Sequence, residues 1–274
     1  MSYRLGIDLG GTKIEAVIIN ELFQVVKRER VATNRDDGYE AIIERISSLS
    51  KSMLSDYDAF EGPIGICTPG TIEAETGLLK NSNTVCLIGK PIQKDMESQL
   101  GIPVLMENDA NCFALAEATL GAGKKYNVVF GVILGTGCGG GITMLKNIHR
   151  GSNRIAGEWG HNPLPWTNEE ELNQNSCYCG KSGCIETFLS GPALERNYYQ
   201  KTGKVTSAKN ILAISQSGNQ CAQAVFDEFE IHLAKGLAQV INVLDPEIIV
   251  IGGGLSNISR LYYNVTNLWG EFIF

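Results

Sequence analysis

Apolar residues near the N-terminus alternate with polar ones at Leu5, Ile7 and Leu9, a Gly10-Gly11 turn follows, and Ile14 to Ile19 resumes a β-rich run. Gln24 to Ala32 is half polar, the pattern of an edge or solvent-facing strand. After Asp36-Asp37, which can cap a helix, Tyr39, Ile42, Ile43, Ile46, Leu49 and Met53 recur at helical spacing. Ile64 to Cys67 reads as a short buried strand, Thr68-Pro69-Gly70 as a turn, Val104 to Met106 as another strand, and Asp109 to Leu120 as a helix. Near Gly121 the pattern restarts, with a strand at Val128 to Leu134, a glycine turn at Gly135 to Gly141 and a second strand at Ile142 to Leu145. Two strand–glycine turn–strand units in one chain predict two related α/β halves with a cleft between them. Val225, Phe226, Phe229, Leu233, Leu237, Val240, Ile241 and Leu244 mark a long amphipathic helix, and Pro246 ends it. Ile248 to Ile251 is a buried strand that runs into Gly252-Gly253-Gly254.

Composition narrows the class without naming it. The chain has 274 residues, 43% hydrophobic and 19% charged, which is globular and not disordered. A net charge of −7 disfavours nucleic acid or an anionic membrane as the main partner. No apolar run is long enough for a transmembrane helix, and the N-terminus lacks a secretory signal pattern, so the expected location is cytoplasmic. The eight cysteines are then reduced thiols, some buried and some metal-bound. Glycine is the outlier: 31 residues, about 11% against a usual ~7%, gathered in clusters.

Three clusters each follow a buried strand: Gly10-Gly11-Thr12-Lys13, Gly135-Thr136-Gly137 and Gly252-Gly253-Gly254. Backbone N–H groups on such turns approach an anion closely, the Thr12 and Thr136 hydroxyls add donors, and Asp8 can hold a hydrated Mg²⁺ against phosphates. Tight hairpins also need glycine for purely structural reasons. Gly135-x-Gly137-x-x-Gly140 matches the dinucleotide fingerprint, but that motif opens a helix, and Ile142 to Leu145 looks like a strand. The first turn does not supply a Walker A loop, so a nucleotide between two hairpin turns fits better.

Glu107-Asn108-Asp109-Ala110-Asn111 sits where a strand gives way to a helix. Asp109 there either caps its helix or takes the proton of a hydroxyl that attacks a phosphoryl group. Cys177-x-Cys179-x4-Cys184, with His161 earlier in the chain, is either three buried thiols or a closed four-ligand Zn²⁺ site of structural type. Cys67, Cys86, Cys112, Cys138 and Cys221 read as core fillers, and His232 as a packed or half-exposed residue of the long helix.

These residues together resemble the ROK family of sugar kinases and repressors. The matches are Asp8 to Lys13, Glu107 to Asn111, Leu134 to Gly137, Gly157-Glu158-Trp159-Gly160-His161, and Cys177 through Glu186, in order from residue 6 to about 255. Gly160 to Trp166 and Glu186-Thr187-Phe188 look most like the bacterial fructokinase (manno(fructo)kinase) branch. Asn83 to Gly89, however, lacks a tryptophan that such relatives often carry near Cys86. The resemblance implies an actin-like ATPase (ribonuclease H-like) fold with lobes at 1–118 and 119–274, and ATP-Mg²⁺ in the interlobe cleft. It implies phosphorylation of a hexose at its primary hydroxyl, with fructose expected and N-acetylglucosamine kinase, glucokinase and mannose kinase as alternatives. Asp109 would be the general base, Asn108, Glu158, His161 and Glu186 would hold other hydroxyls, and Gly70 and Asn83 would line the pocket. Asp8, Gly10 to Lys13, Gly135 to Gly137, Gly253 and Gly254 would face the nucleotide, and His161, Cys177, Cys179 and Cys184 would bind zinc. A homodimer is implied as well. Family members continue further, so a final helix of the pattern is expected to be missing. A sugar-responsive repressor is the alternative from another class; it carries an added helix-turn-helix, for which the opening strand leaves no room.

Overall fold

A computed structural model of the chain describes residues 2–57, 60 and 62–274, and only the backbone of 173 and 174. The chain divides into two compact units, Met1–Cys112 with Arg150–Ile155, and Phe113–His149 with Ala156–Phe274.

In the first unit the opening alternation becomes β1 (Arg4–Leu9) and β2 (Lys13–Ile19), joined by the Gly10-Gly11 turn, and β3 (Val25–Ala32) completes an antiparallel meander. Leu5, Ile7, Leu9, Ile14, Ala16 and Ile18 all fall on the buried face, because side chains two apart share a side of a strand. β3 is at the sheet edge, which explains its half-polar sequence. Next come α1 (Tyr39–Leu54), β4 (Ile64–Thr68), a small hairpin of β5 (Thr71–Ile72) and β6 (Leu79–Lys80), α2 (Ile92–Leu100) and β7 (Val104–Asn108). The sheet order is β3-β2-β1-β4-β7, with β4 parallel to β1 and to β7. Ile42, Ile43, Ile46 and Met53 of α1 bury the helical stripe read from the sequence against this sheet. Asp36 and Asp37 do not cap α1. They lie in a short 3₁₀ turn, and Gly38 precedes α1 with no side-chain cap.

The second unit opens with α3 (Asp109–Thr119), whose first residues belong to the first unit. It continues through β8 (Val128–Leu134), β9 (Cys138–Met144), β10 (Asn147–Ile148), α4 (Glu169–Gln174), α5 (Gly191–Thr202), α6 (Ala208–Gln216), α7 (Gln220–Leu244), β11 (Ile248–Gly252) and α8 (Ser259–Leu268). Its sheet order is β10-β9-β8-β11, with β8–β9 an antiparallel hairpin and β11 parallel to β8. This repeats the β3-β2-β1-β4 plan of the first unit, so the doubled hairpin pattern is real at the level of topology. The sequence pattern put a long glycine turn at 135–141. Instead the turn is only Gly135 to Gly137, and Gly139 to Gly141 lie within β9. The reason is close packing: a Cβ on Gly140 would stand 2.6 Å from the Gly157 carbonyl and from Trp159 Cδ1.

α7 is the spine of this unit's core, with Val225, Phe226, Phe229, Leu233 and Leu237 packed against Phe130, Val132 and Leu134. It ends at Asp245, in the left-handed conformation with its N–H donating to Ile241 O, and Pro246 follows. Of the five cysteines read as core fillers, only Cys138 is buried; Cys221 is exposed and Cys67, Cys86 and Cys112 are half-buried. Among the described residues no helix is long and apolar enough to cross a membrane.

His232 of α7 is packed, and its Nε2 lies 3.0 Å from Glu171 Oε1. Burial holds the imidazole below its usual pKa against the opposing pull of Glu171. Burial works to raise Glu171, but the Asn168 N–H and His232 outweigh it and leave the carboxyl low. Both folded pKa values are depressed, so the stability they contribute is present above the unfolded values and is lost as pH falls through the folded ones. Thermal melts should therefore show Tm falling between about pH 7 and pH 5, where histidine takes up its proton. His232→Gln should flatten that slope, and an equal slope in the variant would exclude His232 as its source.

Candidate active site

In the first unit, Asp8 at the end of β1 and Thr12 and Lys13 beyond the turn are exposed, while Gly10 and Gly11 are half-buried. A Cβ on Gly11 would meet Thr84 Oγ1 at 3.6 Å and Asn83 Oδ1 at 3.7 Å, so Asn83 lies against this turn. Cys67 Sγ is 3.4 Å from Asp8 Oδ1. The β7–α3 junction supplies the next group. Asn108 Oδ1 accepts from Ala110 N at 2.9 Å and Asn111 N at 3.2 Å, and its Nδ2 donates to Gly70 O at 3.1 Å. Asn108 therefore caps α3 and ties the junction to the Gly70 turn. Asp109, half-buried in the first helical turn, accepts from Ala110 N at 2.8 Å.

Two residues that the sequence left without a role shape this junction. Arg150 Nε donates to Glu107 Oε2 at 2.5 Å. The other Glu107 oxygen accepts from Asn111 Nδ2 and from Asn108 N, each at 3.0 Å. Nothing in the turn around Arg150 announces this, because the pair is distant in sequence.

The second unit brings two of the three glycine turns together. β8 and β11 are adjacent and parallel, which sets Gly135 to Gly137 beside Gly253 and Gly254. A Cβ on Gly135 would be 3.9 Å from Gly254 N. Gly253 has φ +82°, and a Cβ there would lie 2.4 Å from Leu134 O, so only glycine fits. Thr136, Gly253 and Gly254 are exposed, a set of hydroxyl and backbone groups open to an anion.

Glu186 joins this phosphate-type turn to the rest of the unit. Its Oε2 accepts from Cys138 N at 2.9 Å, and a Cβ on Gly137 would come within 2.6 Å of the same oxygen. Glu158 precedes a 3₁₀ turn, Trp159–His161, where the sequence read a glycine-flanked turn. Burial raises the Glu158 pKa, His161 opposes that, and the Glu186 charge adds to it. Desolvation and the charge of Glu186, with smaller effects of Cys177, Glu158 and Cys179, push the Tyr178 phenol up to about 12. Glu158, His161, Tyr178 and Glu186 thus share one neighbourhood. Tyr178 lay inside the cysteine motif, yet its residue type pointed to no metal chemistry.

His161, Cys177, Cys179 and Cys184 each offer one ligand atom, and these atoms all lie within 4.8 Å of one another. Cys177 Sγ is 3.6 Å from His161 Nδ1, and Cys179 Sγ is 3.6 Å from Cys184 Sγ. Three thiols and an imidazole at these separations fit a tetrahedral metal ion, with no place left for a reactive water.

Two sheets of one strand plan, each opening on a hairpin with a glycine phosphate-type turn, define the actin-like ATPase fold. The chain belongs to the ROK family, whose model matches residues 4–274. It is 39% identical over 261 residues to the N-acetyl-D-glucosamine kinase of Vibrio atlanticus (strain LGP32), covering 94% of this chain and 86% of that protein. Among solved structures, the ROK hexokinase from Thermus thermophilus superposes with a TM-score of 0.84 at 27% identity, over 98% of this chain and 88% of that one. The ROK family glucokinase from Streptomyces griseus, solved with glucose and AMPPNP, gives 0.81 at 26% identity, over 97% and 89%.

Proposed function

We propose that this chain transfers the γ-phosphoryl group of ATP to the primary hydroxyl of N-acetylglucosamine. That it is an ATP-dependent hexose kinase follows from its place among the sugar kinases of the family. The observation that carries the sugar is the 39% identity, across 94% of the chain, to an N-acetylglucosamine kinase. It outweighs the likeness of Gly160 to Trp166 and Glu186 to Phe188 to fructokinases, from which fructose was expected.

Phosphoryl transfer asks little covalent chemistry of the protein, and most of the rate comes from positioning and charge. Asp109 accepts the proton of the attacking hydroxyl. Asn108, with both ends of its amide engaged on α3 and Gly70, fixes where Asp109 points. Gly70, Asn83, Glu158, His161 and Glu186 are the residues assigned to the sugar. Gly10 to Lys13, Gly135 to Gly137, Gly253 and Gly254 would face the phosphates, and Asp8 would hold a hydrated Mg²⁺, which would supply neutralisation of their charge. His161, Cys177, Cys179 and Cys184 would hold Zn²⁺, which would supply a brace between the turn bearing Glu158 and the turn bearing Glu186.

A coupled ADP-release assay with Mg-ATP against N-acetylglucosamine, fructose, glucose, mannose and N-acetylmannosamine tests the reading. The highest kcat/KM should fall on N-acetylglucosamine. A preference for fructose would restore the fructokinase branch, and no turnover on any of them would sink the kinase reading.

A further inference from the structure

The segment Arg150–Ile155 belongs to the first unit, although the chain on either side of it belongs to the second. Its first residue meets Glu107, whose Oε2 accepts from Arg150 Nε at 2.5 Å. The two partners differ in burial: the Glu107 side chain is 13% exposed and that of Arg150 48%. A carboxylate so withdrawn from water needs its oxygens satisfied, and a guanidinium does this with a charge-assisted bond. A half-exposed arginine adds little to stability by such a pair. The contact therefore bears on where Glu107 points more than on how firmly the unit folds.

The orientation of Glu107 matters because of its other oxygen. Oε1 accepts from Asn108 N and from Asn111 Nδ2, each at 3.0 Å. The first bond fixes the peptide between Glu107 and Asn108. The second holds an amide that is only 5% exposed and whose Oδ1 has no hydrogen-bond partner among the described residues. Asp109 stands between Asn108 and Asn111 in the chain, so the residues that flank the base lean on one Glu107 oxygen. Without Arg150 on Oε2 the carboxylate is drawn toward water, and Oε1 leaves both donors together.

We propose that Arg150 is a positioning residue for phosphoryl transfer. By pinning Glu107 Oε2 it keeps Oε1 on Asn108 and Asn111, and so fixes the Asp109 carboxylate that lies between them. This rests on the hexose-kinase reading above, with Asp109 as the base. A displacement of about 1 Å at a reacting group costs about 10²-fold in rate, so a small shift of this junction is enough.

Steady-state kinetics and thermal melts of the full chain test this. Arg150→Gln, Arg150→Lys, Glu107→Gln and the double variant Arg150→Gln/Glu107→Gln are compared on whichever of the five hexoses the wild type turns over fastest. Arg150→Gln should lower kcat about 10- to 100-fold, with KM for sugar and ATP within about 3-fold of wild type. Its Tm should stay within about 2 °C. Arg150→Lys should recover most of the rate, because the contact uses Nε and a lysine ammonium reaches as far with the same charge. The double variant should be no slower than the slower single one, since the pair acts as one unit.

A kcat within about 2-fold of wild type in Arg150→Gln would overturn the proposal. A raised KM with kcat unchanged would overturn it as well, making Arg150 a ligand contact. Losses that multiply in the double variant would break the link through Glu107. A Tm lower by more than about 5 °C in both Arg150→Gln and Glu107→Gln would make the pair a brace of the fold instead. A wild type that prefers fructose or glucose overturns the N-acetylglucosamine reading alone, because the comparison is then made on that sugar. A wild type active on none of the five would overturn the kinase reading and this proposal with it.

Discussion

Asp109→Ala should lower kcat by about 10²–10⁴-fold while the protein melts near the wild-type temperature. The separation of the two effects follows from how the β7–α3 junction is built. Capping of α3 is carried by Asn108, whose Oδ1 accepts the N–H groups of both Ala110 and Asn111. The Ala110 N–H that Asp109 accepts is also bonded to Asn108 Oδ1, so the cap of the helix start survives the loss of the Asp109 carboxylate. Glu107 stays bonded to Arg150 and Asn111 and continues to hold the junction. Asp109→Asn should lose activity to a similar extent, because an amide of the same shape cannot accept the proton. KM for the sugar should move far less than kcat in both variants if the carboxylate acts in the transition state. Near-full activity in either variant would remove Asp109 as the base.

The second large effect is expected at Cys179. This thiol is exposed, so Cys179→Ser costs the core nothing, whereas Cys184 is buried and its substitution would confuse two causes. Replacing one of four ligands should cut metal affinity by at least about 100-fold. Elemental analysis should then find zinc falling from about one ion per chain to near none. Site binding energy is also folding energy, so Tm should drop by about 5 °C or more. Sugar KM should rise sharply as well, because the cluster ties the turn of Glu158 to the turn of Glu186 through His161 and Cys184. A chelator should reproduce these changes in the wild type. Unchanged metal content in Cys179→Ser would refute the site.

What could be read from the chain was whatever depends on neighbours in sequence. Strand alternation in β1 and β2, the helical stripe of α1, the spine of α7 and its stop at Pro246 are local, and the burial pattern follows them. The doubled hairpin was visible because each copy carries its own glycine turn. The metal cluster was legible because three of its four ligands fall within one short loop, whose Cys-x-Cys spacing itself places thiols together. β5, β6, α2, α5, α6 and α8 carried no distinctive stripe or motif, and they take their form from what they pack against.

The sequence by itself determined the family, the two-fold strand plan and the residue types of the chemistry, since each is encoded in motifs a few residues long. Only the tertiary structure decided which partners those residues hold. It left α1 without a side-chain cap, assigned the cap of α3 to Asn108 and not to Asp109 alone, put Gly139 to Gly141 into a strand, set Gly135 beside Gly254, paired Glu107 with Arg150, and set His161 Nε2 against Tyr178. The physical reason is the same in each case. A hydrogen bond or a close backbone approach depends on angstrom-scale separation between residues far apart in the chain, and no spacing along the sequence carries that distance.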